Sequence, residues 1–107
     1  MFHFFKQAAS LSPQEAAMKI QEPGAGFIDV RTVREYAGGH ARGAKNIPLD
    51  TLEERIEEVR SFEKVYVICQ SGGRSSEAVG YLSSQGIHAI NVSGGTTMWK
   101  LLGLAMQ

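Results

Sequence analysis

The chain has 107 residues, 43% of them hydrophobic and 21% charged, which is ordinary composition for one globular domain (1–107) with a single core and no linker. Eleven basic residues balance eleven acidic ones for a formal net charge of +0, so no overall field recruits nucleic acid or an anionic membrane, and any positive potential is expected to be local. No apolar run approaches membrane-spanning length, and the aromatic start Met1-Phe2-His3-Phe4-Phe5-Lys6 lacks the basic end, long apolar stretch and small-residue cleavage site of a secretory leader.

Taken in chain order, residues 1–9 are expected to pack on the domain as an aromatic strap. Ser12-Pro13-Gln14-Glu15 is a capping box with proline at the first helical position, predicting a helix through Ala16, Ala17 and Ile20 to the breaker Pro23-Gly24. Gly26-Phe27-Ile28-Asp29-Val30 reads as a buried strand. A second capping box, Thr32-Val33-Arg34-Glu35, predicts a short helix stopped by Gly38-Gly39. Lys45-Asn46-Ile47 forms a short strand ended by Pro48. Asp50 then caps a helix with Leu52, Ile56 and Val59 inward, and Glu53, Glu54, Glu57 and Glu58 on a solvated face.

Val65-Tyr66-Val67-Ile68 is β-branched and aromatic without polar alternation, as expected of a strand buried on both faces. His88-Ala89-Ile90-Asn91-Val92 forms the last strand and Thr96 to Leu102 a closing helix. The alternation predicts an α/β fold, a mainly parallel central sheet of about five strands with helices on both faces. Ligands of such sheets bind beyond the carboxyl ends of the strands. Asp29, Cys69 and Ser93-Gly94-Gly95 lie at such ends and are candidates to surround one pocket.

The only cysteine, Cys69, ends the strand and opens the loop Gln70-Ser71-Gly72-Gly73-Arg74-Ser75. Free cysteine usually packs as a small hydrophobe. Here a glycine pair, two hydroxyls and an arginine follow it within one loop, a poor core and a good oxyanion cradle. Gly72 and Gly73 allow φ > 0 and let successive N–H groups form a concave nest for an anion. Ser75 or Ser76 is expected to cap the next helix, with Ala78, Val79 and Leu82 at helical spacing and Gly86 as the stop. The helix N-terminus and Arg74 should both favour thiolate over thiol.

The loop CQSGGRS resembles the active-site loop of rhodaneses, single-domain sulfurtransferases. Asp29-Val30-Arg31 with Glu35-Tyr36, Gly39-His40 followed by Gly43-Ala44 and Asn46-Ile47-Pro48, and Gly94-Gly95 followed by Trp99 are similar to that family's other motifs, in the same order, over about residues 11 to 104. Ala41 departs from the bulky aliphatic more usual after the histidine, which bears on packing and not on chemistry.

The resemblance implies that Cys69 takes the outer sulfur of a donor such as thiosulfate, holds it as a persulfide and passes it to a thiol or cyanide, with no metal or cofactor. Backbone N–H groups from Gln70 to Ser75 would stabilise the terminal sulfur, helped by the Ser71 and Ser75 hydroxyls. Arg74 either binds the donor's sulfonate or lowers the Cys69 pKa, or else forms a salt bridge to an acid such as Glu35. Asp29 either supports the loop from behind or caps its own turn.

Arg31 and Glu35 read as structural, Met98 and Trp99 as core. His40 lacks partners at metal spacing. A rival is a cysteine phosphatase or arsenate reductase, but those enzymes have five residues between cysteine and arginine, and here there are four. The other rival is a persulfide carrier that turns over little. A lone free thiol suits the cytoplasm.

Overall fold

In the computed structural model the described residues are 9–107, so the expected strap lies outside the described residues except for Ala9. The elements are β1 (Ser10–Leu11), α1 (Pro13–Lys19), β2 (Ala25–Asp29), α2 (Val33–Ala37), β3 (Lys45–Asn46), a 3-10 turn (Leu49–Thr51), α3 (Ile56–Arg60), β4 (Lys64–Ile68), α4 (Gly73–Ser84), β5 (Ala89–Val92) and α5 (Gly95–Leu101). The five strands form one sheet in the order β1-β5-β4-β2-β3, parallel at every pairing.

Alternation along the strands divides the core in two. Ile28, Val30, Val65, Val67, Cys69 and Ala89 point to the face covered by α3 and α4, where they meet Val59, Ala78, Val79 and Leu82. Phe27, Tyr66, Ile68, Ile90 and Val92 point to the other face, against Ala16 of α1 and Trp99 of α5. Both faces are therefore dry, which explains the unbroken apolar reading of β4.

Both capping boxes form. Ser12 accepts from the Glu15 N–H and Thr32 from the Glu35 N–H, while each glutamate reaches back to the cap's own N–H. The helix predicted from Asp50 does not form as one piece. Leu49–Thr51 is 3-10, residues 52–55 are turns, and α3 starts only after Arg55 at φ −106° and ψ 18°, off the helical region. Asp50 sits inside the 3-10 turn without capping anything, and the Arg55 guanidinium holds Glu58 instead. Beyond α5 the chain returns to pair Ala41 with Met106 in an antiparallel bridge, and Ala105 accepts the Trp99 indole N–H at 2.8 Å.

After β2 the chain crosses outward to β3, whereas after β4 it crosses the other way to β5. The carboxyl ends of β2 and β4 therefore flank a topological switch point, the place where an open parallel sheet leaves a crevice. Asp29 pairs with Ile68 in register, so Cys69 emerges at the mouth of that crevice.

Candidate active site

Cys69 leaves the end of β4 with its sulfur turned to the α4 side, 1% exposed. The chain reverses through Gly72, whose φ of 117° is in the left-handed region, and α4 starts at the next residue. The expected serine cap is absent: Gly72 is the N-cap, and the sulfur itself takes the place of a capping acceptor. Sγ accepts the Gly72 N–H at 3.0 Å and lies 3.2 Å from the Ser75 hydroxyl. Gly73 is an ordinary first helical residue, so only one of the two glycines supplies the positive φ.

Burial is the largest influence on the thiol and pushes its pKa up. The Ser75 hydroxyl and the N–H groups of Ser75, Gly72 and Ser71 together outweigh it, so the net shift is downward. Hydrogen bonds at the start of a twelve-residue helix thus favour the thiolate inside an apolar surround. Ser75 is fully buried, and the single proton of its hydroxyl also has the Gly72 carbonyl and Oδ1 of Asn91 within reach as acceptors; the Asn91 amide nitrogen donates to Ser10.

Arg74 does not point at the sulfur. Its Nη1 and Nη2 donate to the two Glu35 oxygens at 2.7 and 2.9 Å. The hydrogen bonds from Arg74 and from the Thr32 N–H hold the Glu35 carboxyl down at about 2. Of the two roles open for Arg74, the structure displays the ion pair.

Asp29 is fully buried and accepts from the Arg31 N–H, Nε and Nη2, the last at 2.9 Å. It makes no direct bond to the cysteine loop and acts through Arg31. That guanidinium donates Nη1 to the Gln70 side chain at 3.2 Å and Nη2 to the Gly39 carbonyl at 2.8 Å. Gln70 in turn donates to Thr97 Oγ1 at 2.8 Å. The side chain of the first loop residue is thereby clamped between β2 and α5. Ser71 is exposed at the rim.

The other clamp comes from the β5–α5 turn. Thr96 donates both its N–H, at 2.8 Å, and its hydroxyl, at 3.0 Å, to the Cys69 carbonyl, and the Thr97 N–H reaches the Gln70 carbonyl. Gly94 and Gly95 have φ of 75° and 60°, and a Cβ on Gly95 would lie 2.5 Å from the Gln70 oxygen. Asn91, Thr96 and Thr97 are absent from the sequence-based list, although the Gly94-Gly95 pair just before Thr96 marks where a backbone approaches closely.

The ion pair Arg74–Glu35 separates two clefts. One, of about 620 Å³, is bordered by Arg31, Glu35, Gln70, Thr96, Thr97 and Lys100. The other, of about 510 Å³, lies beyond Arg74 against Thr32, Leu49, Glu77 and Tyr81. The His40 ring stacks on Tyr36 with centroids 3.6 Å apart, and its Nδ1 is 3.0 Å from the Tyr36 carbonyl. Among the described residues no group of three His, Cys, Asp or Glu side chains is placed to hold a metal ion, and no helix is long and apolar enough to cross a membrane.

Comparison with known proteins places this architecture. The chain is 33% identical to thiosulfate sulfurtransferase GlpE of Pseudomonas fluorescens (strain SBW25) over 89 residues, 82% of either chain. It is 38% identical over 74 residues to the putative sulfur carrier protein YrkF of Bacillus subtilis (strain 168), covering 68% of this chain and 40% of that one. Its share of the first two curated relatives is thus 59% and 40% of their length. The crystal structure of a rhodanese-related protein from Thermoplasma volcanium superposes with a TM-score of 0.84 at 30% identity, covering 92% of this chain and 97% of that one. With the rhodanese-like domain family model matching residues 12–102, the chain belongs to the rhodanese-like family.

Proposed function

We propose that the protein is a sulfurtransferase that moves a sulfane sulfur from a donor, for which thiosulfate is the simplest probe, through a Cys69 persulfide to an external thiol or to cyanide. The observation that carries this reading is the setting of Sγ, which accepts the Gly72 N–H and faces Ser75 at the first turn of α4. The thiolate attacks the outer sulfur of thiosulfate, the S–S bond of the donor breaks, and sulfite leaves with the bonding pair. The new terminal sulfur then carries the negative charge, and hydrogen bonds to an anion are stronger than those to a neutral acceptor. An acceptor thiolate or cyanide takes that sulfur and returns Cys69 as thiolate.

Cys69 is the only cysteine in the sequence, so no disulfide within the chain can discharge the persulfide and the acceptor is external. A reducing compartment such as the cytoplasm keeps such a thiol available. A phosphatase reading is disfavoured by the arginine. An oxyanion-binding loop needs its guanidinium closing on the anion, and Arg74 is held at 2.7 Å by Glu35.

Similarity to a protein named a putative sulfur carrier favours one further reading, in which the domain holds persulfide for a protein acceptor and releases it slowly. Incubation of reduced protein with thiosulfate should add the mass of one sulfur atom, and cyanide should then release thiocyanate. Thiocyanate formation that survives Cys69→Ser would overturn the mechanism. Stable loading with negligible release to small acceptors would favour the carrier.

A further inference from the structure

Behind the Cys69 sulfur runs a line of polar side chains to which the proposed transfer gives no task. The sulfur is 3.2 Å from the Ser75 hydroxyl, that hydroxyl meets Oδ1 of Asn91, and Nδ2 of Asn91 is 3.3 Å from the Ser10 hydroxyl. Ser75 is 0% and Asn91 6% exposed, whereas Ser10 is open to water on the edge strand β1. Asn91 lies beside Val67, its register partner on β4, in the apolar layer under α4 that also holds Ala78 and Ala89. An amide buried there costs stability unless its polar atoms are partnered.

The Ser75 hydroxyl has one proton and three acceptors within reach: Sγ, the Gly72 carbonyl and Oδ1 of Asn91. The Gly72 carbonyl already receives the Ser76 N–H at 3.0 Å and is satisfied without it. The choice that matters is between Sγ and Asn91. With Sγ as a thiol, S–H donates to the Ser75 oxygen, Ser75 donates to Oδ1, and Nδ2 donates to Ser10. With Sγ as an anion the line runs the other way. Ser75 donates to Sγ, an Asn91 amide turned by half a turn donates Nδ2 to the Ser75 oxygen, and Ser10 donates to Oδ1. Such a turn exchanges oxygen and nitrogen within one side-chain envelope. Every polar atom of the line is satisfied in both directions, which neither a carboxylate nor an apolar side chain at position 91 would allow.

We propose that Asn91 is a positioning residue for chemistry at Cys69: the orientation of its amide sets whether the Ser75 proton faces the sulfur. Its place in a reaction rests on the sulfurtransferase reading. During loading, Ser75 donates to the attacking thiolate; once the new S–S bond has formed, Sγ is neutral and the Ser75 proton turns back to Asn91. During discharge the acceptor bonds to the terminal sulfur, the Sγ–S bond breaks, and the pair returning to Sγ meets the Ser75 proton again. Each hydrogen stays on its own heavy atom and the line reverses by rotation alone, so no acid, base or oxidant is consumed. The charged side chains bordering the loop are Arg74 with Glu35 and Arg31 with Asp29, each in an ion pair, and Lys100 across the cleft. Among the described residues none of them hydrogen-bonds to Ser75 or Asn91.

The test is a double-mutant cycle on the full chain, read by the thiolate absorbance of Cys69 against pH and by the initial rate of sulfur loading from thiosulfate, followed by intact mass. Below the titration midpoint, Asn91→Leu should slow loading about three-fold, because Ser75 keeps its bond to the anion and loses only the polarising donor behind it. Asn91→Asp has the shape of the amide but only accepts. It should hold the Ser75 proton away from the sulfur, slow loading about ten-fold and raise the midpoint by about one pH unit. In a Ser75→Ala background Asn91→Leu should have no effect, and Asn91→Asp should keep less than half of its shift, the share its charge exerts through space. Urea unfolding checks the fold of each variant, and should Asn91→Leu not fold, the isosteric Asn91→Asp carries the cycle alone. A midpoint unmoved by both substitutions, or shifts of equal size with and without the Ser75 hydroxyl, would overturn the proposal and leave the sulfurtransferase reading intact. If the midpoints move as expected while thiosulfate and cyanide produce neither the added sulfur mass nor thiocyanate, the sulfurtransferase reading falls and the role of Asn91 in setting the thiolate stands.

Discussion

Gly95 is where the Cys69 loop and the β5–α5 turn press on each other, and Gly95→Ala puts a number on that contact. A Cβ there would lie 2.5 Å from the Gln70 oxygen and 2.6 Å from the Cys69 oxygen, against ordinary contacts of 3.4–4 Å. Both neighbours are backbone, so the two segments must part by nearly an ångström. The left-handed φ of 60° costs alanine about 1 to 2 kcal/mol by itself. Weakening the Thr96 N–H bond to the Cys69 carbonyl costs about 1 kcal/mol more. The overlap adds about 1 to 3 kcal/mol.

The expected loss is about 3 to 6 kcal/mol in total, a large part of the stability of a domain this size. Two sister variants calibrate it. Gly72→Ala meets a left-handed φ of 117° but nothing closer than 3.8 Å, so it should cost about 1 to 3 kcal/mol. Gly73→Ala has neither problem and should stay within about 0.5 kcal/mol of wild type. Urea unfolding at fixed pH reads all three, and 4 kcal/mol moves the midpoint by about 2 M for a slope near 2 kcal/mol per molar. Should Gly95→Ala unfold within about 0.5 kcal/mol of wild type, or Gly73→Ala prove the worst of the three, the close-approach argument would be refuted.

Ser75→Ala removes the hydroxyl beside the sulfur and leaves Oδ1 of Asn91 without its donor. The thiolate absorbance of Cys69 should therefore titrate at higher pH, with a stability loss of about 1 to 3 kcal/mol; an unmoved titration would count against the hydroxyl's role. Asp29→Asn strands the Arg31 guanidinium in a buried site and should destabilise by about 3 to 5 kcal/mol on urea unfolding, whereas a loss under about 1 kcal/mol would mean that Arg31 finds water. The Glu35 carboxyl titrates at about 2 in the fold against an ordinary 4.5, so its contribution to stability is complete above about 4.5 and disappears as the pH falls toward 2. In Arg74→Met the larger part of that contribution is missing while the Thr32 hydrogen bonds remain, so the stability gap to wild type should narrow between pH 5 and pH 2; a constant gap would contradict the linkage.

What the sequence disclosed and what it withheld divide by distance along the chain. Both capping boxes were legible because each closes between residues three apart. The parallel sheet followed from strand and helix alternation, and the burial of β4 on both faces followed from its unbroken apolar run. β1, two residues long, joins the sheet by backbone pairing to β5 and carries no side-chain pattern of its own. The start of α4 was misplaced to a serine because the capping acceptor is the cysteine sulfur, a partner that propensity does not weigh. For Arg74 the sequence left two roles open, a cation for the sulfur site or a salt bridge to an acid such as Glu35, and only the fold, which brings Glu35 in from 39 positions away, displays the second. Asn91 meets Ser75 across 16 positions, Thr96 meets Cys69 across 27 and Ser10 meets Asn91 across 81, and of these only Thr96 has a local signal, the glycine pair before it.

On the sulfurtransferase reading proposed above, the near-complete burial of the Cys69 sulfur would give the empty and the sulfur-loaded protein different chemical temperaments. A persulfide extends the side chain by about 2 Å of S–S bond. On the proposed reading, that added reach would move the reactive atom outward from the position that shields the bare thiol. Oxidants and bulky electrophiles would find little to attack at rest, while a loaded protein would offer its sulfur to a nucleophile that fits the mouth. Protection and delivery would then alternate with the cargo itself.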